Sequence, residues 1–250
     1  MNYKNKILLR KQYIDKKMTT YQIAEICNCD PTAICNWLRK YNIPIRSRGE
    51  ACHLANGNHC NLSQKAKEWI DGELMGDGSL RLRSKYSAEF NYTSKYLEYI
   101  NYVSNTLRSF GIKQSGKIRK YYYKEMDCYT YHYHSLCYVD LLPIRKRWYP
   151  NNKKIIPRDL KLTPLLLRQE YLGDGSLHHY KKSRPAIELF TNGFLTDGVK
   201  WLIGELSKLG FKSTRQPSRN SIHISTYSTK DFLSYIGECP VECYQYKWNY

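Results

Sequence analysis

The chain has 250 residues, with 40 Lys and Arg against 22 Asp and Glu and a formal net charge of +18. That length allows one large domain or two to three small ones with a real core, and so positive a chain is drawn to polyanions through counterion release. No apolar run approaches the roughly 20 residues of a spanning helix, which leaves nucleic acid, not a membrane, as the leading partner.

The first stretch, Met1 to Lys17, is basic but has no uninterrupted apolar core and no small-residue cleavage site. The expectation is therefore an intracellular protein. Nine cysteines at irregular spacing fit reduced thiols better than a disulfide framework. Cys27, Cys29 and Cys35, and then Cys52, His53, His59 and Cys60, lack the paired C-x-x-C spacing of a zinc site.

In chain order, residues 1–48 read as a small all-α domain. Leu8, Leu9, Tyr13 and Ile14 fall at helical spacing. Thr19 with Gln22 forms a capping box ahead of Ile23, Ala24 and Ile26, and Asp30-Pro31 opens a helix carrying Ile34, Trp37 and Leu38. Two short helices meeting across Cys27-Asn28-Cys29 resemble a helix-turn-helix unit, whose second helix presents Thr32, Ala33, Asn36 and Arg39 to the major groove. Arg46 and Arg48 suit a phosphate-contacting arm, and a cap that only packs is the alternative. Residues 49–64, rich in Asn, Gly, His and Ser, read as a linker.

From Lys65 the chain reads twice, residues 65–157 and then 158–250. Each pass predicts a helix into Gly-Asp-Gly-Ser-Leu, two strands, a helix ending in glycine, two more strands and a closing helix. The first places strands at 79–85, 88–93, 117–123 and 129–134 and its last helix around 136–142; the second places strands at 177–180, 186–192, 215–219 and 221–227 and its last helix at 228–236. Asp77 maps to Asp174, and Gly111 to Gly210, at nearly one offset. The fold class is thus α+β, two pseudo-symmetric αββαββα halves with antiparallel sheets after a small helical domain.

The repeated motif carries the chemistry. Gly72 and Gly76 sit four apart, a spacing that lets helix backbones approach closely. Two such helices packed in parallel bring Asp77 and Asp174 together where both macrodipoles are negative, and a bound cation resolves the repulsion. Carboxylates and backbone carbonyls suit Mg²⁺, and hence metal-assisted phosphodiester hydrolysis.

The segments Ile70-Asp71-Gly72-Glu73-Leu74-Met75-Gly76-Asp77-Gly78 and Leu167-Arg168-Gln169-Glu170-Tyr171-Leu172-Gly173-Asp174-Gly175 resemble the paired motifs of the LAGLIDADG homing endonucleases. The resemblance covers about Lys65 to Tyr250. Gln169 departs from the usual small residue at the third motif position, so the halves must pack differently there; Met75 and Leu172 fill a position often acidic in the family, while the penultimate acid is kept in both copies. Tyr149-Pro150-Asn151-Asn152-Lys153-Lys154 looks like the family's joining segment, and Cys239-Pro240 through Trp248 like its counterpart in the second half. The resemblance implies catalytic roles for Asp77, Asp174, Lys154 and Lys247, with Lys154 beside Asp77. It also implies two or three Mg²⁺ ions at a shared site held by Asp77, Asp174 and the Gly76 and Gly173 carbonyls.

In the strand from Ser79, alternation sets Arg81, Arg83 and Lys85 on one face and Leu80 and Leu82 on the other. Lys117 and Arg119, and then Lys181, Lys182, Arg215 and Arg219, continue that basic theme on sheets suited to the major groove. The reading is a monomeric endonuclease cutting both strands of a long asymmetric duplex DNA target. A splicing cofactor for intron RNA and a non-cleaving transcription regulator are the alternatives. The ends of the chain, Met1 and Trp248-Asn249-Tyr250, argue against an intein.

Overall fold

A computed structural model of the protein describes residues 2–180 and 183–250. Lys181 and Lys182, two candidate DNA contacts, lie outside the described residues.

Helix α1 (Lys6–Arg10) runs on as a π-helical turn, Lys11–Asp15, and is followed by α2 (Thr20–Cys27) and α3 (Pro31–Lys40). The capping box ahead of α2 is complete: Thr19 Oγ1 accepts from the Gln22 amide at 3.1 Å, and Gln22 Oε1 accepts from the Thr19 amide at 2.9 Å. Asp30 caps α3 by accepting from the Thr32 amide at 2.7 Å. Between them the chain turns through Asn28 at φ 49°, a left-handed conformation that asparagine tolerates. Leu9, Tyr13, Ile23, Ile34 and Leu38 form a buried cluster of their own.

The stretch read as a linker contains a helix, α4 (Arg48–Asn56). It buries none of its residues fully, and without an apolar stripe it leaves no periodic signal in the sequence. Ser47 Oγ caps it at the Glu50 amide, and Tyr86 holds it from outside: the Tyr86 hydroxyl lies 3.1 Å from Ser47 Oγ, and its ring packs on His53 at 4.8 Å between centroids.

The first half contains α5 (Gln64–Met75), β1 (Ser79–Ser84), β2 (Ser87–Ser94), α6 (Leu97–Ser109), β3 (Arg119–Tyr123), β4 (Cys128–His134) and α7 (Leu141–Trp148). The second repeats the order as α8 (Pro164–Asp174), β5 (Gly175–Tyr180), β6 (Ser183–Leu189), α9 (Thr196–Lys208), β7 (Ser213–Gln216), β8 (Ser221–Ile224) and α10 (Thr229–Ile236). Each half has a four-stranded antiparallel sheet, ordered β1-β2-β4-β3 and β5-β6-β8-β7. The fold is α+β, as expected.

Helix α7 starts later than the 136–142 expected. Tyr138 instead bridges Ala88 through two backbone hydrogen bonds, so this segment lies beside β2 before it can coil. Strand β7 ends at Gln216 because the chain reverses through Asn220 at φ 50°, and β8 ends at Ile224, where a turn closed by the Ser228 amide on the Ser225 carbonyl at 2.8 Å leads into α10.

One core, from Trp69 to Tyr244, runs through both halves. Helices α5 and α8 are its axis: Ile70, Leu74, Leu167, Tyr171 and Leu172 are all fully buried. A Cβ on Gly72 would fall 2.6 Å from the Leu166 carbonyl oxygen, and one on Gly76 would fall 3.3 Å from Gly173 Cα. The contacts advance together along both helices, so the two run in the same direction and their C-terminal ends meet.

Candidate functional site

The two motif aspartates stand at those meeting ends. After Met75 the backbone turns at Gly76, and the Gly78 amide donates back to the Glu73 carbonyl at 2.8 Å. Only glycine fits at 78, where a Cβ would lie 2.6 Å from that same carbonyl oxygen. This turn delivers Asp77 just beyond α5, while Asp174 occupies the last position of α8. Gly76 and Gly173 pack Cα against Cα, with a Gly173 Cβ position only 3.2 Å from the Asp77 amide nitrogen. The glycines therefore bring the acids together.

Each helix end also receives a lysine. Lys154 Nζ donates to the Gly76 and Gly78 carbonyls at 3.1 and 3.0 Å. Lys247, nearly fully buried, donates to Leu172 O at 2.7 Å and Tyr171 O at 3.2 Å. These carbonyls lie at or just beyond the C-terminal ends of α5 and α8, where a cation is favoured.

Electrostatically the pairing crosses over. Removal of water raises the pKa of Asp77, and Lys247 opposes that rise more than Lys154 does. Asp174 is pushed up to about 7, first by burial and then by Asp77, with Lys154 the stronger of its two opposing cations. The expected neighbour of Asp77, Lys154, thus holds the backbone on either side of Asp77 while its charge acts more on Asp174. Both lysines are lowered to about 8 by burial, against the pull of the acids. The cluster is two carboxylates and two ammonium groups in a partly dehydrated space, with no side-chain hydrogen bond to either aspartate contributing.

Three further groups were not picked out from the sequence. Glu73 and Glu170 hold matching positions one helical turn before the aspartates and are almost completely buried. Glu73 accepts from the Tyr99 hydroxyl at 2.9 Å, and its pKa is raised well above the usual range by burial; Glu170 is pushed up to about 8 by burial and Asp174. The identical spacing of Glu and Asp in both motif copies is the signal for them. Lys95, in the bend just after β2, lines a cavity of about 340 Å³ with Asp77, Gly173 and Lys247. Only the tertiary fold reveals that proximity.

The chain matches the LAGLIDADG DNA endonuclease family over residues 67–232. It belongs to that family. An uncharacterized protein of Methanocaldococcus jannaschii, MJ1098, is 29% identical over 201 residues, covering 80% of this chain and 76% of its own. The cytochrome b mRNA maturase bI2 of Debaryomyces hansenii is 26% identical over 190 residues, covering 69% of this chain and 67% of its own. Among solved structures, the homing endonuclease I-WcaI bound to its DNA recognition sequence superposes with a TM-score of 0.65 at 17% identity, covering 84% of this chain and 96% of that one. At that identity the likeness is one of fold.

With the LAGLIDADG architecture in place, the remaining candidate residues sort by position. Strand register sets Ser79, Arg81, Asn91, Thr93, Arg119, His132 and His134 on one face of the first sheet, opposite the core residues Leu80, Phe90 and Tyr133. Arg81, Arg119 and Lys117 are exposed; Arg83 is exposed and paired with Glu89 at 2.7 Å. Lys85 sits in the turn after β1, and Leu82, expected on the same face as Leu80, is 40% exposed near the end of β1, next to the register slip between Leu82 and Ser84. The tyrosines of β3 and β4 divide between faces: Tyr133 is core, while Tyr121 packs edge-on against His132 on the outer side.

In the second half the outer face carries Ser176, Thr214 and His223. Arg215 does not belong to it. It shares the register of the buried Ile222 and Ile224, and its guanidinium turns to Asn220 Oδ1 at 2.8 Å and Thr196 Oγ1 at 3.5 Å. Arg219 lies in the turn, 3.8 Å from Glu188.

In the N-terminal helices, Thr32, Asn36 and Arg39 are exposed on α3, with Arg39 donating to Asn36 Oδ1 at 3.0 Å. Arg48 is exposed at the start of α4. Arg46, read as part of a phosphate-contacting arm, is turned inward: it donates to the Met18 and Tyr13 carbonyls and lies over the Tyr13 ring at 4.0 Å. Its donors are occupied by the protein's own backbone.

Proposed function

We propose that this protein is a monomeric, site-specific DNA endonuclease that breaks both strands of a long, asymmetric target by metal-dependent phosphodiester hydrolysis. The observation that carries this reading is the meeting of Asp77 and Asp174 at the paired ends of α5 and α8, each end held by a lysine.

The donor set fits a hard divalent cation. The two carboxylates raise each other's energy, have no hydrogen bond among the described residues that satisfies them, and stand beside helix-end carbonyls. Asp77, Asp174 and the Gly76 and Gly173 carbonyls would hold two or three Mg²⁺ ions, which supply an activated water and charge neutralisation at the leaving oxygen. Lys154 and Lys247 fix the backbone that aims the acids, and near neutral pH their ammonium groups favour negative charge developing on phosphate oxygens. The outward rows of the two sheets read base edges in the major groove, and α3 adds contacts from Asn36 and Arg39. Differing halves suit a target that is only loosely palindromic.

The test is cleavage of a plasmid carrying the DNA that flanks the protein's own coding region, with Mg²⁺. The parent is expected to linearise it, and Asp77→Asn and Asp174→Asn to abolish that. A parent that cuts no such DNA, or variants that cut as fast, would overturn the reading.

Similarity to a maturase favours a second reading, assistance to intron RNA folding. It predicts that intron RNA displaces duplex DNA in competition and that both asparagine variants retain full RNA activity.

A further inference from the structure

The N-terminal helices and the first half enclose a groove of about 460 Å³. Lys17, Arg46, Lys85 and Lys146 line it against one carboxylate, Glu50. Arg46 is used in shaping the wall. Lys17, Lys85 and Lys146 are exposed, and none forms an ion pair among the described residues. They come from the loop before α2, the β1–β2 turn and α7, segments far apart in sequence that the tertiary fold gathers around one cleft. Like charges collected in this way repel, and a polyanion removes the repulsion.

The groove has a defined shape. Its wall is Tyr86, packed at a tilt on His53 and bonded to Ser47, with its hydroxyl close over Gly49, where a Cβ would lie 2.8 Å from it. It lies at the β1–β2 turn of the first sheet, where Lys85 and Tyr86 follow directly on the strand that carries Arg81 and Arg83, beside α7, which packs on the core face of β1 and β2. A volume of this size exceeds a single hydrated ion, at about 30 Å³ per water, and accommodates a run of backbone.

We propose that this groove carries the sugar-phosphate backbone of duplex DNA past the outer end of the first sheet, with Lys17, Lys85 and Lys146 on phosphate oxygens. The inference rests on the DNA-binding reading above and refines it: the footprint is extended on the first-half side alone, since the second half has no counterpart of α1 to α4 among the described residues.

The experiment is a salt titration of binding to a mixed-sequence DNA duplex by fluorescence anisotropy. It compares the full chain, the variant Lys17→Ala/Lys85→Ala/Lys146→Ala, and a charge-matched control, Lys200→Ala/Lys208→Ala/Lys230→Ala, on the outer helices of the second half. Each phosphate contact contributes about 0.9 to the slope of log affinity against log salt, so the groove variant should lose about 2 to 3 from that slope and the control almost nothing. Hydroxyl-radical footprinting of the same complexes should show protection shortened at one end only. A groove variant with the parent's slope and footprint overturns the proposal and leaves DNA binding standing. A parent without salt-dependent duplex binding overturns the DNA reading itself. Slope loss on single-stranded RNA but not on duplex DNA overturns duplex backbone as the occupant.

Discussion

Gly72 of α5 lies directly beneath Gln169 of α8: a Cβ on Gly72 would fall 2.8 Å from Gln169 Cβ. The asymmetry expected from the motif sequences is therefore a complementary fit. One helix contributes no side chain, and the other contributes a fully buried glutamine whose amide reaches the Tyr102 hydroxyl at 3.3 Å.

That fit reverses the usual sign of a helical Gly→Ala substitution, which stabilises by about 0.5–1 kcal/mol. At Gly72 the new methyl also meets the Leu166 carbonyl oxygen at 2.6 Å, a backbone atom that cannot yield without moving α8. Gly72→Ala is expected to destabilise by about 1–3 kcal/mol, the range for overpacking. Gly204→Ala in α9, where nothing lies within 4 Å, is expected to stabilise. Urea unfolding of both variants checks the pair, and equal effects would show that helix contact does not decide the sign.

Asp71 ties the motif helix to α7, accepting from Arg147 Nη2 and Trp148 Nε1, each at 2.7 Å. Asp71→Ala strands the buried Trp148 indole N–H and removes one of the two carboxylate partners of Arg147, which keeps Asp159 at 3.1 Å. The expected loss is about 2–3 kcal/mol in urea unfolding, appropriate to a charged hydrogen bond with one partner removed. Asp71→Asn, which retains an acceptor for Trp148, should lose less.

Without metal, stability should fall as pH rises. The folded state holds Asp174 near 7 and Glu170 near 8, above their ordinary carboxylate values. Each therefore takes up a proton on folding at intermediate pH, so its destabilising effect is absent below about pH 4 and complete above about pH 8. Because Asp174 is partly solvated, its shift is worth about 2 kcal/mol, roughly half the undiscounted figure. Asp174→Asn should recover about that much at pH 8 and almost none at pH 4 in chelator-containing buffer, while losing cleavage.

Lysine charge sets a second pH limb. Both ammonium groups are lowered to about 8 by burial, so if they act as cations the cleavage rate at saturating DNA should decline above that pH. Lys154→Met and Lys247→Met are each expected to cost about 10²-fold in rate. Lys154→Arg, which stays charged, should flatten the decline. A rate that climbs through pH 8 would mean that a neutral lysine is the working form.

Much of the fold was legible because local rules and long-range burial agree. The capping box at Thr19, the Asp30 cap and the paired αββαββα order each follow from residues within one or two turns of each other. Helix α4 and the start of α7 were not legible, since their positions depend on the distant partners Tyr86 and Ala88. Arg46 and Arg215 look like free cations in a list of residues; Tyr13 and Asn220 show otherwise.

By itself, the sequence determined that two equivalent acids close two equivalent helices, because a duplicated motif needs no knowledge of space to be recognised. Tertiary structure alone decided that Lys247 acts most on Asp77 and Lys154 on Asp174, that Glu73 and Glu170 are sealed behind them, and that Lys17, Lys85 and Lys146 share a groove. Electrostatics and burial depend on distance through the folded chain, and only packing sets those distances.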